Sequence, residues 1–157
     1  MPCQAIGLQF VSFSKEWQKL VDRKDILELA GNPPEVLLVD DERYALEEYQ
    51  ELLDLDGICA IIETNPFKAI EKTLETPSIR AVVTDQRMPQ MSGAELISQL
   101  HKRLPPDRQV KYLILSGYLE GISETKDIPS VKLLEKPVDA TELSDAIRDA
   151  ISGGTGA

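Results

Sequence analysis

The chain is poor in the residues that build covalent and zinc-based scaffolds. It has two cysteines, Cys3 and Cys59, and a single histidine, His101, in 157 residues. The cysteines lie in different parts of the chain without CxxC spacing, so neither a disulfide framework nor a zinc site is suggested. Positive charge is also scarce: 17 lysines and arginines stand against 27 aspartates and glutamates, for a formal net charge of −10. Such a field repels phosphate backbones and anionic lipid, which argues against direct binding to nucleic acid or a membrane surface. The apolar stretch Ala5 to Phe13 lacks a cationic start and runs into a charged, helix-like segment, unlike a secretion signal or a membrane span. A cytoplasmic location is the expectation.

What is present is an ordinary globular composition, 42% hydrophobic and 28% charged. The length suffices for one hydrophobic core and a modest extension, and excludes two large domains. From Glu35 onward, short apolar runs alternate with segments of helical period, the pattern of repeated βα units and a parallel sheet. The runs Val36–Val39, Ile58–Ile62, Ile79–Val83, Tyr112–Leu115 and Val131–Leu134 predict strands. Between them, Asn65-Pro66 places a cap before a first-turn proline, and Ser92-Gly-Ala-Glu95 reads as a capping box. Asp139-Ala-Thr-Glu142 offers the same reciprocal arrangement. The helix over 42–55 carries Tyr44, Leu46, Tyr49, Leu52 and Leu53 as its apolar stripe. The fourth connection, Leu119 to Ile128, is short, polar and closed by Pro129, so its helix is the weakest of the set.

In a doubly wound sheet of this kind, ligands bind beyond the carboxyl ends of the strands. Polar residues terminate the predicted strands there: Asp40-Asp41-Glu42, Asp85, Ser116-Gly117 and Glu135-Lys136-Pro137. Taken singly each has a bland reading, since acidic residues suit a helix start and Ser-Gly suits a loop. Together they put carboxylates, a hydroxyl and an ammonium on one edge. Clustered carboxylates repel, and a hard divalent cation with oxygen ligands, Mg²⁺, relieves that repulsion. Ser116 and Lys136 are then donors suited to the oxygens of a phosphoryl group.

Val39-Asp40-Asp41-Glu42, Thr84-Asp85-Gln-Arg-Met-Pro-Gln-Met-Ser-Gly93, Leu115-Ser-Gly117 and Glu135-Lys-Pro137 together resemble the response regulator receiver family over roughly residues 35–151. The resemblance implies a flavodoxin-like five-stranded parallel sheet of order 2-1-3-4-5. It implies that Asp85 is the phosphoacceptor and that Asp40, Asp41, Asp85 and the main-chain carbonyl of Arg87 hold Mg²⁺. Ser116 and Lys136 would bind the phosphoryl group, and Pro137 would follow a cis peptide. A histidine kinase or phosphotransfer protein would be the donor, and a downstream protein or an output domain the target. One departure stands out: the position three before the lysine, often aromatic in the family, is Leu133. Arg87 and Tyr118, two residues after Asp85 and Ser116, flank the expected path of the hydrolytic water and would slow loss of the phosphoryl group by crowding it.

Residues 1–34 fall outside this pattern and read as a mainly helical extension. Trp17, Leu20, Val21 and Leu27 lie on one side, and Asn32-Pro33-Pro34 connects to the receiver. That stripe packs on its own domain, forms a homodimer or docks on a partner. Residues 152–157 have linker composition, so the chain is either a single-domain receiver or the front part of a longer effector. His101, near a helix end, reads as structural, and Met88 and Met91 as cover for the active-site loop. An aspartyl-phosphate hydrolase is disfavoured, because those enzymes place a second aspartate where this chain has Arg87. A Rossmann nucleotide site is excluded by the absence of a glycine-rich turn after the first strand. The protein is expected to be a phosphoacceptor and not an enzyme.

Overall fold

Four-residue apolar stretches such as Val36-Leu-Leu-Val39 cannot be left as isolated extended chain, because their main-chain N–H and C=O groups need partners once water is excluded. In the computed structural model, which describes residues 32–118 and 125–152, those partners are neighbouring strands. The strands are β1 (Val36–Val39), β2 (Ala60–Glu63), β3 (Ala81–Asp85), β4 (Lys111–Ser116) and β5 (Val131–Glu135). They form one parallel sheet of order β2-β1-β3-β4-β5. Interleaved are α1 (Arg43–Leu55), α2 (Pro66–Glu75), α3 (Gly93–Arg103) and α4 (Ala140–Ile151). The expected flavodoxin-like order is the observed one.

Both faces of the sheet are covered, as parallel strands require. Val36 and Leu38 point to one side, where Leu46 and Leu53 of α1 pack with Leu143 and Ile147 of α4. Leu37 and Val39 point to the other, where Ala69 and Ile70 of α2 meet Leu96, Ile97 and Leu100 of α3. Each fully buried leucine or isoleucine contributes about 1.5–3 kcal/mol relative to exposure. The stripe expected on α1 is narrower than its sequence suggests: Leu46 and Leu53 are buried, but Tyr44 is 88% exposed. Tyr44 stands in the first turn of α1 and is not among the residues that pack on the sheet.

The caps set where the helices begin. Asn65 Oδ1 accepts the Phe67 and Lys68 amides, and Ser92 and Glu95 form the reciprocal box. At α4 only the aspartate half of the expected pairing is among the described hydrogen bonds, with Asp139 accepting Thr141 N–H at 2.7 Å. Helix α1 is followed by Gly57, whose φ of +76° lets the chain turn back so that Ile58 N–H reaches Leu53 O at 2.9 Å. Strand bounds differ from expectation by up to two residues: β2 starts at Ala60 because Ile58 and Cys59 finish that turn, and β3 extends through Asp85. The expectation of a chain without a disulfide is corrected, since Cys59 is disulfide-bonded. The helix expected over residues 1–34, most of the segment 119–128, and the tail beyond 152 lie outside the described residues. No helix among the described residues is long and apolar enough to cross a membrane.

Candidate functional site

Because all strands run the same way, every residue that ends a strand arrives at the same edge. The register fixes how they line up: Val39 pairs with Thr84, Asp85 with Leu115, and Ser116 with Glu135. Asp40 follows β1, Asp85 ends β3, Ser116 ends β4, and Lys136 follows β5. Asp40, Asp85 and Ser116 are 5%, 8% and 5% exposed, whereas Asp41 is open to solvent. Carboxylate oxygens of Asp40, Asp41 and Asp85 all lie within 4.8 Å of one another. Lys136 Nζ stands 2.6 Å from Asp85 Oδ1 and 3.9 Å from Asp40 Oδ2. A cis peptide between Lys136 and Pro137 follows β5.

Electrostatics reflect the crowding. Burial raises the Asp40 carboxyl from 3.8 to about 6; the Glu42 amide opposes this, and the neighbouring charge of Asp85 reinforces it. Burial by itself would lower the Lys136 ammonium, but the hydrogen bond and charge of Asp85, with Asp40 and Tyr49, hold it above its ordinary value. One lysine thus serves two buried carboxylates, and the set remains short of positive charge. An all-oxygen cluster with excess negative charge fits a hard divalent cation and does not fit a soft one. Tyr49, on α1, is a neighbour of the site that the sequence motifs do not mark; burial raises its hydroxyl, and the charges of Lys136, Asp40 and Asp85 reach it.

The geometry places Ser116 at this edge but turns its hydroxyl to its own loop. Oγ donates to Tyr118 O at 2.7 Å and accepts Tyr118 N–H at 3.1 Å. The Arg87 guanidinium lies over the Tyr118 ring, 5.4 Å from its centroid, joining the two residues that flank the loops after β3 and β4. Leu133 is partly buried and packs on the α2–α3 side of the core. Met91 is buried in that same core and Met88 packs against it.

Two further residues hold Asp85 in place. Gln86 donates its N–H to Leu115 O at 3.0 Å, while its side-chain Oε1 accepts Ala94 N–H at 3.0 Å and its main-chain O accepts Gly93 N–H at 3.0 Å. Gly93 opens α3 directly against β3: a Cβ there would sit 2.5 Å from Asp85 O and 2.9 Å from Thr84 Cγ2. Gly93 belongs to the quoted motif, yet only the packing shows why a side chain is excluded.

The family model of the response regulator receiver domain matches residues 36–148. The chain belongs to the response regulator receiver family. A response regulatory protein of Vibrio cholerae is 31% identical over 115 residues, which cover 71% of this chain and 46% of that protein. Sporulation initiation phosphotransferase F of Bacillus subtilis is 26% identical over 116 residues, 72% of this chain and 90% of that protein. Among solved structures, a response regulator receiver domain protein from Clostridium thermocellum is similar with a TM-score of 0.67 and 29% identity, covering 76% of this chain and 94% of that one. The chain spans about half the length of the response regulatory proteins it matches, 46% for those of Vibrio cholerae and Shewanella oneidensis. It therefore carries the receiver domain of a two-component signalling protein.

Proposed function

We propose that Asp85 of this receiver is the phosphoacceptor, modified by a histidine kinase or a phosphotransfer protein, and that Asp40, Asp41, Asp85 and the Arg87 carbonyl hold Mg²⁺. The observation that carries the reading is the convergence of Lys136 on Asp85, at 2.6 Å, within a cluster of three mutually close aspartates at one strand edge. An Asp85 carboxylate oxygen attacks the phosphorus of a phosphohistidine; the P–O bond of an acyl phosphate forms as the P–N bond breaks. The donor imidazole leaves with its electron pair and is protonated. Lys136 neutralises developing charge on the phosphoryl oxygens, and Ser116 donates its hydroxyl to one of them once released from Tyr118 O. Mg²⁺ held by these residues would compensate the charge of the carboxylates and of the incoming phosphoryl group.

The receiver unit spans 35–151 on this reading, with residues 1–34 and 152–157 as an extension and a linker. It acts in the cytoplasm as a phosphoacceptor, not a turnover enzyme, and phosphorylation changes its contacts with a downstream protein or an output domain. Incubation with Mg²⁺ and a small phosphoryl donor, followed by intact-mass measurement, is expected to add one phosphoryl group to the wild type and none to Asp85→Asn. Failure of the wild type with several donors, or equal labelling of the variant, rejects the assignment.

A further inference from the structure

A cavity of about 310 Å³ opens at the end of the sheet away from Asp85, between the start of β4, the residue before β5 and the last turn of α3. Lys111 begins β4 and Ser116 ends it, so at about 3.3 Å per residue the cavity lies some 17 Å from the phosphoacceptor edge. Its cationic lining comes from two elements, Arg108 from the loop after α3 and Lys111 from β4, and the imidazole of His101 on α3 stands beside them. Among the described residues no aspartate or glutamate lines it, in a chain whose formal net charge is −10. A helix dipole favours cations in the last turn of a helix, but Lys111 and Arg108 lie outside the helix, so it does not account for them.

Each cation is held differently. Arg108 spends its terminal nitrogens on main-chain carbonyls of Leu74, at 3.3 Å, and Thr76, at 2.7 Å, so it contributes a fixed positive charge. That charge reaches the buried Tyr112, whose hydroxyl burial pushes up to about 12 against the opposing effect of Arg108. Lys111 Nζ donates to Ser130 Oγ at 3.0 Å and keeps two N–H donors for another acceptor. Ser130 adopts φ +76°, a conformation unfavourable for a non-glycine residue, and in it accepts from both Lys111 Nζ and Tyr112 N–H. Leu104, Pro105 and Pro129 supply rigid apolar walls.

We propose that this cavity binds a small organic molecule carrying one phosphate or carboxylate group on an apolar body. Lys111 and His101 meet the oxyanion, Arg108 adds its charge, and the prolines pack on the body. The volume lies at the lower end of the range for small-molecule sites. Binding there would couple a dissolved anion to the frame that carries β4, at the far end of the strand from Ser116.

The test is amide chemical-shift titration of the metal-free protein with phenyl phosphate, benzoate and phenol. Saturable shifts at Gln109 to Tyr112 and Ser130 are expected with at least one anion, and phenol is expected to bind about tenfold more weakly or worse. The tighter anion identifies the headgroup. In Lys111→Gln the apparent Kd should rise about five- to tenfold. Ser130→Gly removes the hydroxyl that positions Lys111 while relieving the backbone, so binding should weaken with thermal stability maintained. Shifts confined to the residues around Asp40, Asp85 and Lys136, no saturable shift with either anion, or binding indifferent to Lys111→Gln each overturn the proposal.

Discussion

Removing the charge of Asp40 while keeping its shape is expected to stabilise the metal-free protein at neutral pH. Burial, reinforced by Asp85, raises this carboxyl from 3.8 to about 6. A carboxyl whose folded pKa exceeds its unfolded one holds more protons folded than unfolded, so its contribution to stability falls as pH rises through that window and stays low above it. At about 1.4 kcal/mol per pKa unit the ceiling is about 3 kcal/mol. Solvent screening at the mouth of the site, next to exposed Asp41, brings the expectation to about 1–3 kcal/mol. The amide in Asp40→Asn would keep an oxygen for the Glu42 N–H, which Asp40 Oδ1 accepts at 2.9 Å. Urea or thermal denaturation in a chelator should therefore find Asp40→Asn more stable than wild type at pH 8, with a margin that shrinks as pH falls toward 4. Each kcal/mol corresponds to about 2–4 °C in Tm. Adding Mg²⁺ should stabilise the wild type more than the variant, since only the intact cluster binds it fully. Parallel stability curves for the two proteins from pH 4 to 8 would refute the reasoning.

The remaining predictions concern the frame and chemistry of the same edge. Gly93→Ala forces α3 away from Asp85 O, so it should cost about 1–3 kcal/mol in denaturation and slow phosphorylation of Asp85 by intact mass. Lys136→Met leaves Asp85 without its 2.6 Å partner, and phosphoryl incorporation should fall at least about tenfold; an undiminished rate removes Lys136 from the mechanism. Arg87→Ala combined with Tyr118→Ala removes the stacked pair and should shorten the acyl-phosphate lifetime by about two- to tenfold. An unchanged lifetime rejects crowding of the water.

Much of the fold was legible because its signals are local. Asn65-Pro66 and Ser92 to Glu95 carry their caps in adjacent residues, and the caps form as written. The apolar runs mark strands buried on both faces, although they do not mark bounds: Ile58 and Ile79 lie outside β2 and β3 and are buried because they join the two hydrophobic cores. Tyr44 fits a helical stripe by spacing, yet it is exposed. Periodicity reports the face of a helix and says nothing about what lies opposite each position. The anchoring of Arg108 on distant carbonyls left no sequence signal, because main-chain acceptors carry no residue identity.

The site was legible by residue type and less so by state. Parallel strands deliver Asp40, Asp85, Ser116 and Lys136 to one edge whatever their partners, so their identities sufficed to assemble them. The hydroxyl of Ser116 is different, because its engagement depends on the loop: it is bonded to both the O and the N–H of Tyr118. The resemblance directs attention from Ser116 toward the position of Leu133, where an aromatic ring often responds to it. Leu133 has no polar group with which to follow a hydroxyl, and it packs against the core. Tyr118 is bonded to that hydroxyl through its main chain, is 71% exposed and is stacked beneath Arg87. Reorientation of the Ser116 O–H toward a phosphoryl oxygen exchanges its hydrogen bond to Tyr118 O for a charge-assisted one, which is roughly twice as strong as a neutral pair. On the proposed phosphorylation of Asp85, that exchange would be favourable at Ser116 and would leave the Tyr118 carbonyl needing a new partner, so its first structural consequence is expected at Gly117 and Tyr118 and not at Leu133.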